Sequence, residues 1–275
     1  MAKDSNKDSS NRPKMGLMGH VKHNVKHIIG RIKGGLSGIT ILDPKLIRDL
    51  VQFYNAKFRY TGWRLGYREA MCLLTVAKRI NADLWNISAP KTALEVQNFY
   101  RQAPYYPFDL ANWHMEYGVR RFRKLVLREC SGKVLDYGGG IGIDCMQMAK
   151  KGLKVDYADV RGLNWEFAEW LFEKRGYKIA MLDLTAGVIP NNDMYDTIVC
   201  ISVMEHVADP ASVLRDMVRH LNSRGRLIVT NLDRRCEFNF MRFPMEYDAT
   251  KLLNSLGVFK AEKDWLWVKS QTLVT

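Results

Sequence analysis

The pattern of apolar and polar positions changes at Gly132. Beyond it, short apolar runs rich in β-branched residues alternate with segments in which apolar residues recur at helical spacing. The runs predict strands at 133–137, 154–159, 177–182, 195–203 and 226–230, and the segments between them predict helices at 143–151, 163–174 and 210–221. Such alternation is typical of a parallel sheet with helices on both faces. Sheets of this class bind ligands at the carboxyl ends of their strands, beside the point where the strand order reverses.

The pattern before Gly132 is helical. Asp43 followed by Pro44 is typical of a helix start, and residues 67–80 and 113–129 are two further periodic runs. The segment 98–114 combines many aromatic residues with two prolines, which predicts an ordered loop. This loop is either a packed hinge or a lid that lines a ligand site.

The first residues of the chain carry two further predictions. Residues 1–16 are polar and mixed in charge, which favours a disordered tail. Residues 17–32 predict a basic amphipathic helix, which packs either on the rest of the protein or on a membrane surface. His20, His23 and His27 share a face of this helix, but no carboxylate or cysteine completes a set nearby, so no metal site is expected.

Composition narrows the class of protein. The chain has 275 residues, of which 47% are hydrophobic and 26% charged, as in ordinary globular proteins. No apolar stretch reaches the roughly 18 to 20 residues of a spanning helix, so a location in the cytoplasm or at the periphery of a membrane is expected. Five cysteines without a C-x-x-C pair fit a reducing compartment, and Cys72, Cys145 and Cys200 are expected to be buried thiols.

The net charge of +13 is distributed unevenly. Residues 132–275 contain 19 Lys and Arg and 19 Asp and Glu, so the whole excess lies in residues 1–131. This step predicts two joined units, a basic helical N-terminal unit at 17–131 that includes the aromatic lid loop, and a second unit at 132–275. The basic unit suits either an anionic membrane surface or RNA phosphates.

A glycine-rich motif carries the clearest chemistry. The strand predicted at 133–137 delivers Asp136, and Gly138, Gly140 and Gly142 follow it into the start of a helix, so that a ligand can approach the backbone closely. The spacing is G-x-G-x-G rather than the G-x-G-x-x-G of dinucleotide-binding proteins, which disfavours NAD. Asp159 ends the next predicted strand, where an acid can accept hydrogen bonds from both ribose hydroxyls.

These residues resemble the class I S-adenosylmethionine-dependent methyltransferases over roughly residues 132–275. Asp136 and the glycines resemble the motif that holds the methionine end of the cofactor, Asp159 the ribose acid, and Asp183 the acid that meets the adenine amino group. The stretch 195–207, which contains Glu205 and His206, is similar to the fourth strand and the segment after it. Each acid also has a structural alternative as a cap or turn former.

The resemblance implies an α/β fold with a doubly wound, mostly parallel seven-stranded sheet, a Rossmann-like methyltransferase fold, preceded by a helical N-terminal extension. It implies S-adenosyl-L-methionine as the cofactor. The residues expected to bind the cofactor are Asp136, Gly138, Gly140, Gly142, Asp159, Val160, Asp183, Leu184 and Ile201.

Methyl transfer from a sulfonium is an in-line displacement, so the protein mainly aligns the reactants, excludes water and removes a proton where the nucleophile carries one. The candidate bases are His114, Glu205 and His206. The aromatic side chains expected to cover the sulfonium or the acceptor are Tyr105, Tyr106 and Trp113.

The acceptor is less well defined. The segment after the predicted fourth strand lacks the Asn/Asp-Pro-Pro-aromatic stretch and the Pro-Cys pair of family members that methylate nucleic-acid bases. Its Glu-His-Val sequence resembles members that act on small molecules, quinones, sterols and lipids. A small-molecule or lipid-like acceptor is therefore expected. The alternatives are an RNA or protein methyltransferase that docks through the basic unit, and a cofactor-binding partner subunit without catalysis.

Overall fold

A single mixed sheet forms the centre of the protein. The structure is a computed structural model that describes residues 39–62, 64–232 and 247–271. In these ranges seven strands form one sheet in the order β3-β2-β1-β4-β5-β7-β6, parallel except for β7. The strands are β1 (Lys133–Tyr137), β2 (Lys154–Asp159), β3 (Ala180–Asp183), β4 (Tyr195–Cys200), β5 (Leu221–Val229), β6 (Val258–Lys260) and β7 (Leu266–Lys269). This confirms the doubly wound fold, and the strand order reverses between β1 and β4.

Helices cover both faces of the sheet. After the first strand, three of them have bounds close to prediction, α6 (Ile143–Lys150), α7 (Leu163–Arg175) and α8 (Pro210–Arg219), whereas α9 (Ala249–Ser255) was not predicted. The central strands are buried along most of their length, so each face contributes to a separate hydrophobic cluster. Within the described ranges, no helix is long and apolar enough to cross a bilayer.

The predicted strand bounds agree with the structure to different degrees. The bounds of β1 and β2 are those predicted, whereas β3 starts later than the predicted 177, and β5 starts before 226. The strand predicted at 195–203 ends at Cys200, because the chain turns at Ser202, whose φ is 54° and whose backbone N–H donates to Thr230 Oγ1. The apolar residues beyond Cys200 therefore line a loop.

Helices form the region before β1. They are α1 (Pro44–Lys57), α2 (Tyr67–Ser88), α3 (Ala93–Gln102), α4 (Tyr106–Met115) and α5 (Tyr117–Glu129). Asp43 caps α1 as expected, since its carboxylate accepts from the backbone N–H groups of Lys45 and Leu46 at 3.0 and 3.1 Å. The helix predicted at 67–80 extends to Ser88.

The prediction of a loop at 98–114 is wrong, since this segment is mostly helical. Thr92 and Glu95 form a capping box that starts α3, which continues through Gln102. Pro107 lies in the first turn of α4, where the missing N–H breaks no helical hydrogen bond. The prediction of one continuous helix at 113–129 is also wrong, because the backbone is extended at Glu116, and this residue separates α4 from α5.

The N-terminal helices pack on one face of the sheet. Phe53 of α1 meets the ring of Phe167 of α7 edge to face at 5.2 Å, and both belong to a cluster that also contains Val134 of β1. Cys72 is exposed, contrary to prediction, because it lies on the outer side of α2, whereas Cys145 and Cys200 are buried as expected. The predicted tail, the helix at 17–32 and its three histidines lie outside the described residues.

Candidate functional site

A cavity of about 890 Å³ opens where the strand order reverses, between the carboxyl ends of β1, β2 and β4 and the helices α3 and α4. Its wall contains most of the residues predicted to bind the cofactor. They are Asp136, Gly138, Gly140, Asp159, Val160, Leu184 and Ile201. The candidate bases His114, Glu205 and His206 and the aromatic residues Tyr106 and Trp113 line the same cavity.

The glycine-rich loop presents its backbone to the cavity. Gly138, Gly140 and Gly142 have φ values of 71°, 54° and 75°, which side chains rarely allow. A Cβ atom on Gly138 would lie 2.3 Å from Val203 Cγ2, so the loop after β4 lies directly against this glycine. A Cβ on Gly142 would lie 2.6 Å from the ring of Phe172, so Gly142 acts by letting α6 start close to α7.

Asp159 organises the loop and faces the cavity. Its Oδ2 accepts the N–H of Gly140 at 2.7 Å, and its Oδ1 accepts the N–H of Val160 at 2.7 Å. Burial raises the pKa of its carboxyl to about 6. Oδ2 also accepts a long hydrogen bond from the Tyr157 hydroxyl at 3.5 Å, so Oδ1 has the greater remaining capacity toward a ligand hydroxyl.

Asp136 is a buried acid at the end of β1, only 4% exposed. It accepts a hydrogen bond from the thiol of Cys145 at 3.1 Å. Burial, followed by the neighbouring carboxylate of Asp144, raises the pKa of Asp136 to about 7. A cationic ligand group at this position would stabilise its ionised form.

Besides Gly142, which does not line the cavity, two predicted residues are placed differently. Asp183 Oδ1 accepts the N–H of Thr185 at 2.9 Å and its Oδ2 pairs with Arg161 at 3.0 Å, so it forms the turn after β3, the structural alternative considered above. Its contact with adenine stays a prediction. Tyr105 packs against the hydrophobic core rather than lining the cavity, because it precedes the first turn of α4 and faces inward.

The helices α3 and α4, called the lid from here on after their predicted role, line the cavity and contact the loops on two sides of it. The hydroxyl of Tyr100 in α3 forms a hydrogen bond with His206 Nδ1 at 2.8 Å, and His206 belongs to the loop after β4. On the other side, Arg101 Nε donates to the carbonyl of Arg161 at 2.9 Å. A Cβ on Gly162 would lie 2.6 Å from Arg101 Cα, so helix and loop are in direct contact. The predicted role of the segment as a lid is thus consistent with its position.

The candidate bases occupy different surroundings. His114 is 8% exposed, and its Nδ1 has no hydrogen-bond partner among the described residues. Burial and the guanidinium of Arg123 hold its pKa well below the usual value, so the imidazole is neutral. Glu205 is 3% exposed, and its Oε1 accepts a hydrogen bond from Asn231 and lies 3.9 Å from His206 Nε2.

Sequence reasoning did not single out Tyr100 or Arg123. Arg123 of α5 lies over the ring of Trp113 at 4.5 Å and pairs with Asp144 at the cavity wall. Several other basic residues occur on the same helix, so nothing in the pattern distinguished the one that turns inward. Tyr100 lay in the aromatic segment, and only the packing of α3 brings it to His206.

The wall suits a cationic cofactor with a ribose. Among the described residues, carboxylates in the lining outnumber Lys78 and Arg123, the two basic side chains there. The acids are Asp109, Glu116, Asp136, Asp144, Asp159, Glu205 and Asp209. S-adenosylmethionine carries a sulfonium and an ammonium group, which compensate such charges, and its ribose hydroxyls match the acceptor oxygens of Asp159. The residues present therefore fit this cofactor.

Comparison with known proteins agrees with this assignment. The sequence model of a family described as a methyltransferase domain matches residues 111–272. The ubiquinone biosynthesis O-methyltransferase of Rickettsia akari is 28% identical over 140 residues, which cover 51% of this chain and 50% of that protein. The protein of the same name from Vibrio vulnificus is 34% identical over 104 residues, 37% of this chain and 44% of that protein. The chain thus spans about half the length of these curated relatives.

A solved structure shows a partial likeness. The O-methyltransferase of a polyketide synthase from Brevibacillus brevis, in complex with S-adenosyl-L-homocysteine, is 19% identical and has a TM-score of 0.43 over 52% of this chain and 56% of that one. The family match covers more than half of the chain and includes every strand of the sheet. The chain belongs to the methyltransferase domain family, the class I S-adenosylmethionine-dependent methyltransferases, and its cofactor is S-adenosylmethionine.

Proposed function

We infer that the protein transfers a methyl group from S-adenosylmethionine to a hydroxyl oxygen of a small, lipid-like acceptor. One observation carries this proposal: the cavity that contains the cofactor residues continues beneath the lid, where Gln97, Tyr106, Asn112 and Trp113 line it. The cofactor, when bound, supplies the methyl group on a positively charged sulfur. The lid supplies a partly aromatic wall of the same cavity, against which an acceptor can lie with less contact to water.

The partial cover that the lid gives the cavity favours a small acceptor over a polymer. The lid contacts the loops after β2 and β4 through Arg101 and Tyr100, so an acceptor enters a covered space rather than an open groove. The relatives named ubiquinone biosynthesis O-methyltransferases support oxygen as the acceptor atom and a lipid-like molecule as its carrier. RNA or protein docking through residues 17–131 is the alternative, and bulk RNA as an acceptor tests its RNA form.

His206 is the proposed base. In this assignment its Nδ1–H donates to the hydroxyl oxygen of Tyr100, which fixes the ring, and its Nε2 accepts the proton of the acceptor hydroxyl. The carboxylate of Glu205, 3.9 Å from Nε2, stabilises the imidazolium that forms. This is the arrangement of a base held by one partner and stabilised by another.

His114 has a different proposed role. Protonation of this imidazole is costly, because the side chain is buried beside the guanidinium of Arg123. We therefore assign it a hydrogen bond to the acceptor rather than proton removal. Its unpartnered Nδ1 at the cavity wall supports this role.

The test is methyl transfer by the full chain from radiolabelled S-adenosylmethionine to a panel of alkyl-substituted phenols and catechols, with bulk RNA as a separate acceptor. For a phenol that is methylated, His206→Gln is expected to lower the rate about 10²- to 10⁴-fold at pH 7, the usual contribution of a positioned base, with the affinity for S-adenosylhomocysteine unchanged. Tyr100→Phe is expected to have a smaller effect in the same direction.

Either of two results would contradict the proposal. If His206→Gln has the same rate as the unaltered chain across pH 6 to 9, His206 is not the base. If the radiolabelled methyl group is transferred to RNA and to no phenol, the alternative function is the correct one. His114→Gln is the matched comparison, since it is expected to weaken acceptor binding through KM while leaving the pH dependence of kcat in place.

A further inference from the structure

A second cavity of about 290 Å³ lies beside the first, between α5 and α6. The two share the side chains of His114, Arg123 and Asp144, which therefore form a common wall. The exposed residues Lys124 and Gln147 line its outer end, so the cavity reaches the protein surface. Neither methyl transfer nor cofactor binding, as argued above, uses this space.

The interior of the second cavity is apolar. Met115, Val126, Met148 and Val199 line it and are 1%, 5%, 3% and 1% exposed, respectively. The two methionines are flexible and polarisable, which lets the lining adapt to a ligand chain. A hydrocarbon chain is the chemical group that such a lining favours.

The rim of the cavity is cationic. Lys124 has no ion pair among the described residues, and Arg120 donates only to a backbone carbonyl, that of Ile41 at 3.3 Å. The acids of the lining are already engaged, because Asp43 caps α1 and Asp144 pairs with Arg123. The lining therefore carries three basic side chains, Arg120, Arg123 and Lys124, against the two carboxylates. The resulting net charge of +1 above an apolar interior complements an amphiphile with one anionic head group.

The inner end of the second cavity is the wall that it shares with the first. His114 is 8% exposed there, and its side chain lines both cavities. In the proposed function its Nδ1 hydrogen-bonds to the acceptor in the first cavity, so a ligand of the second cavity meets this wall only with the apolar end of its chain.

We propose that the second cavity binds a free aliphatic carboxylate of medium chain length. Its carboxylate pairs with Arg120 and Lys124 at the rim, and its chain lies along Val126 and Met148 toward the wall shared with the cofactor cavity. The ligand is separate from the methyl acceptor, which lies beneath the lid in the first cavity.

The test is calorimetric titration of the full chain, saturated with S-adenosylhomocysteine, with sodium hexanoate and sodium decanoate. Each fully buried methylene contributes about fourfold in affinity, so decanoate is expected to bind one site at least about 10-fold more tightly than hexanoate. Val126→Phe fills the interior and is expected to abolish this gain. Gln147→Trp covers the outer end from an exposed position and is expected to do the same without disturbing folding.

Matched controls lie on α5 itself. Leu125→Phe adds the same ring at an exposed position outside the cavity and is expected to leave decanoate binding unchanged. The double variant Arg120→Gln and Lys124→Gln is expected to lower the affinity for decanoate about 3- to 10-fold and to make it less dependent on salt. Arg128→Gln is expected to change neither quantity.

The proposal is overturned if decanoate does not bind, or if its affinity is the same in Val126→Phe and Gln147→Trp as in the unaltered chain. Binding to vesicles of anionic lipid without binding of free decanoate would likewise overturn it, since the basic rim would then be a membrane-facing surface. Binding of S-adenosylhomocysteine and the melting temperature show whether each variant is folded.

Discussion

At the scale of residues, the fold gives two aspartates pKa values well above the usual range for a carboxyl. The pKa of Asp136 is raised to about 7 and that of Asp159 to about 6, in both cases mainly by burial. Their positions at strand ends were predictable from the alternation of strand and helix. Their pKa values were not, because these depend on the packing around each side chain. The hydrogen bond between Tyr100 and His206 likewise depends on how α3 packs.

The raised pKa of Asp136 predicts that cofactor affinity depends on pH. The ammonium group of S-adenosylhomocysteine favours the ionised carboxylate, so below pH 7 binding must first remove the proton that the free protein holds. The affinity is therefore expected to fall about tenfold from pH 7.5 to pH 6. Calorimetry over this range measures it. Asp136→Asn should bind weakly with little pH dependence, and tighter binding by the unaltered chain at pH 6 would contradict the account.

At the scale of elements, prediction worked best where the hydrophobic pattern had one interpretation. The strands β1 and β2 have the predicted bounds, because each is a short run rich in strand-forming residues between turns that contain glycine. The segment 98–114 was misread because its prolines and aromatics are typical of loops. A capping box at Thr92 and a first-turn Pro107 make it helical instead, a result set by local capping rather than by composition.

The contact between α3 and the loop after β2 predicts that Gly162 controls lid closure. In Gly162→Ala the new Cβ would lie 2.6 Å from Arg101 Cα, a backbone atom that moves only with the helix. The substitution is expected to speed amide hydrogen exchange in residues 93–115 and to reduce the slowing that S-adenosylhomocysteine causes there. Gly152→Ala, at a loop with open space around it, controls for a general loss of stability. Exchange in the lid equal to that of the unaltered chain would show that the contact is not needed.

At the scale of the whole molecule, the helices before β1 and the sheet share one hydrophobic cluster. Leu50 of α1, Phe108 of α4 and Phe167 of α7 all belong to it and are fully buried. The segments on the two sides of Gly132, which differ in net charge, thus contribute to one hydrophobic core. The division into units at 17–131 and 132–275 stays a prediction. The sequence predicted a lid within the basic half, and the structure places α3 and α4 of that half along the wall of the cavity.

The most direct test of the account is the affinity of the full chain for S-adenosylhomocysteine in Asp159→Ala. Loss of a charge-assisted pair of hydrogen bonds to the ribose is expected to weaken binding by about 2 to 3 kcal/mol, roughly 30- to 150-fold. Asp193→Ala removes an exposed carboxylate remote from the cavity and is expected to leave the affinity unchanged. Equal affinity of Asp159→Ala and the unaltered chain, measured by calorimetry, would contradict the placement of the cofactor at the ends of β1 and β2.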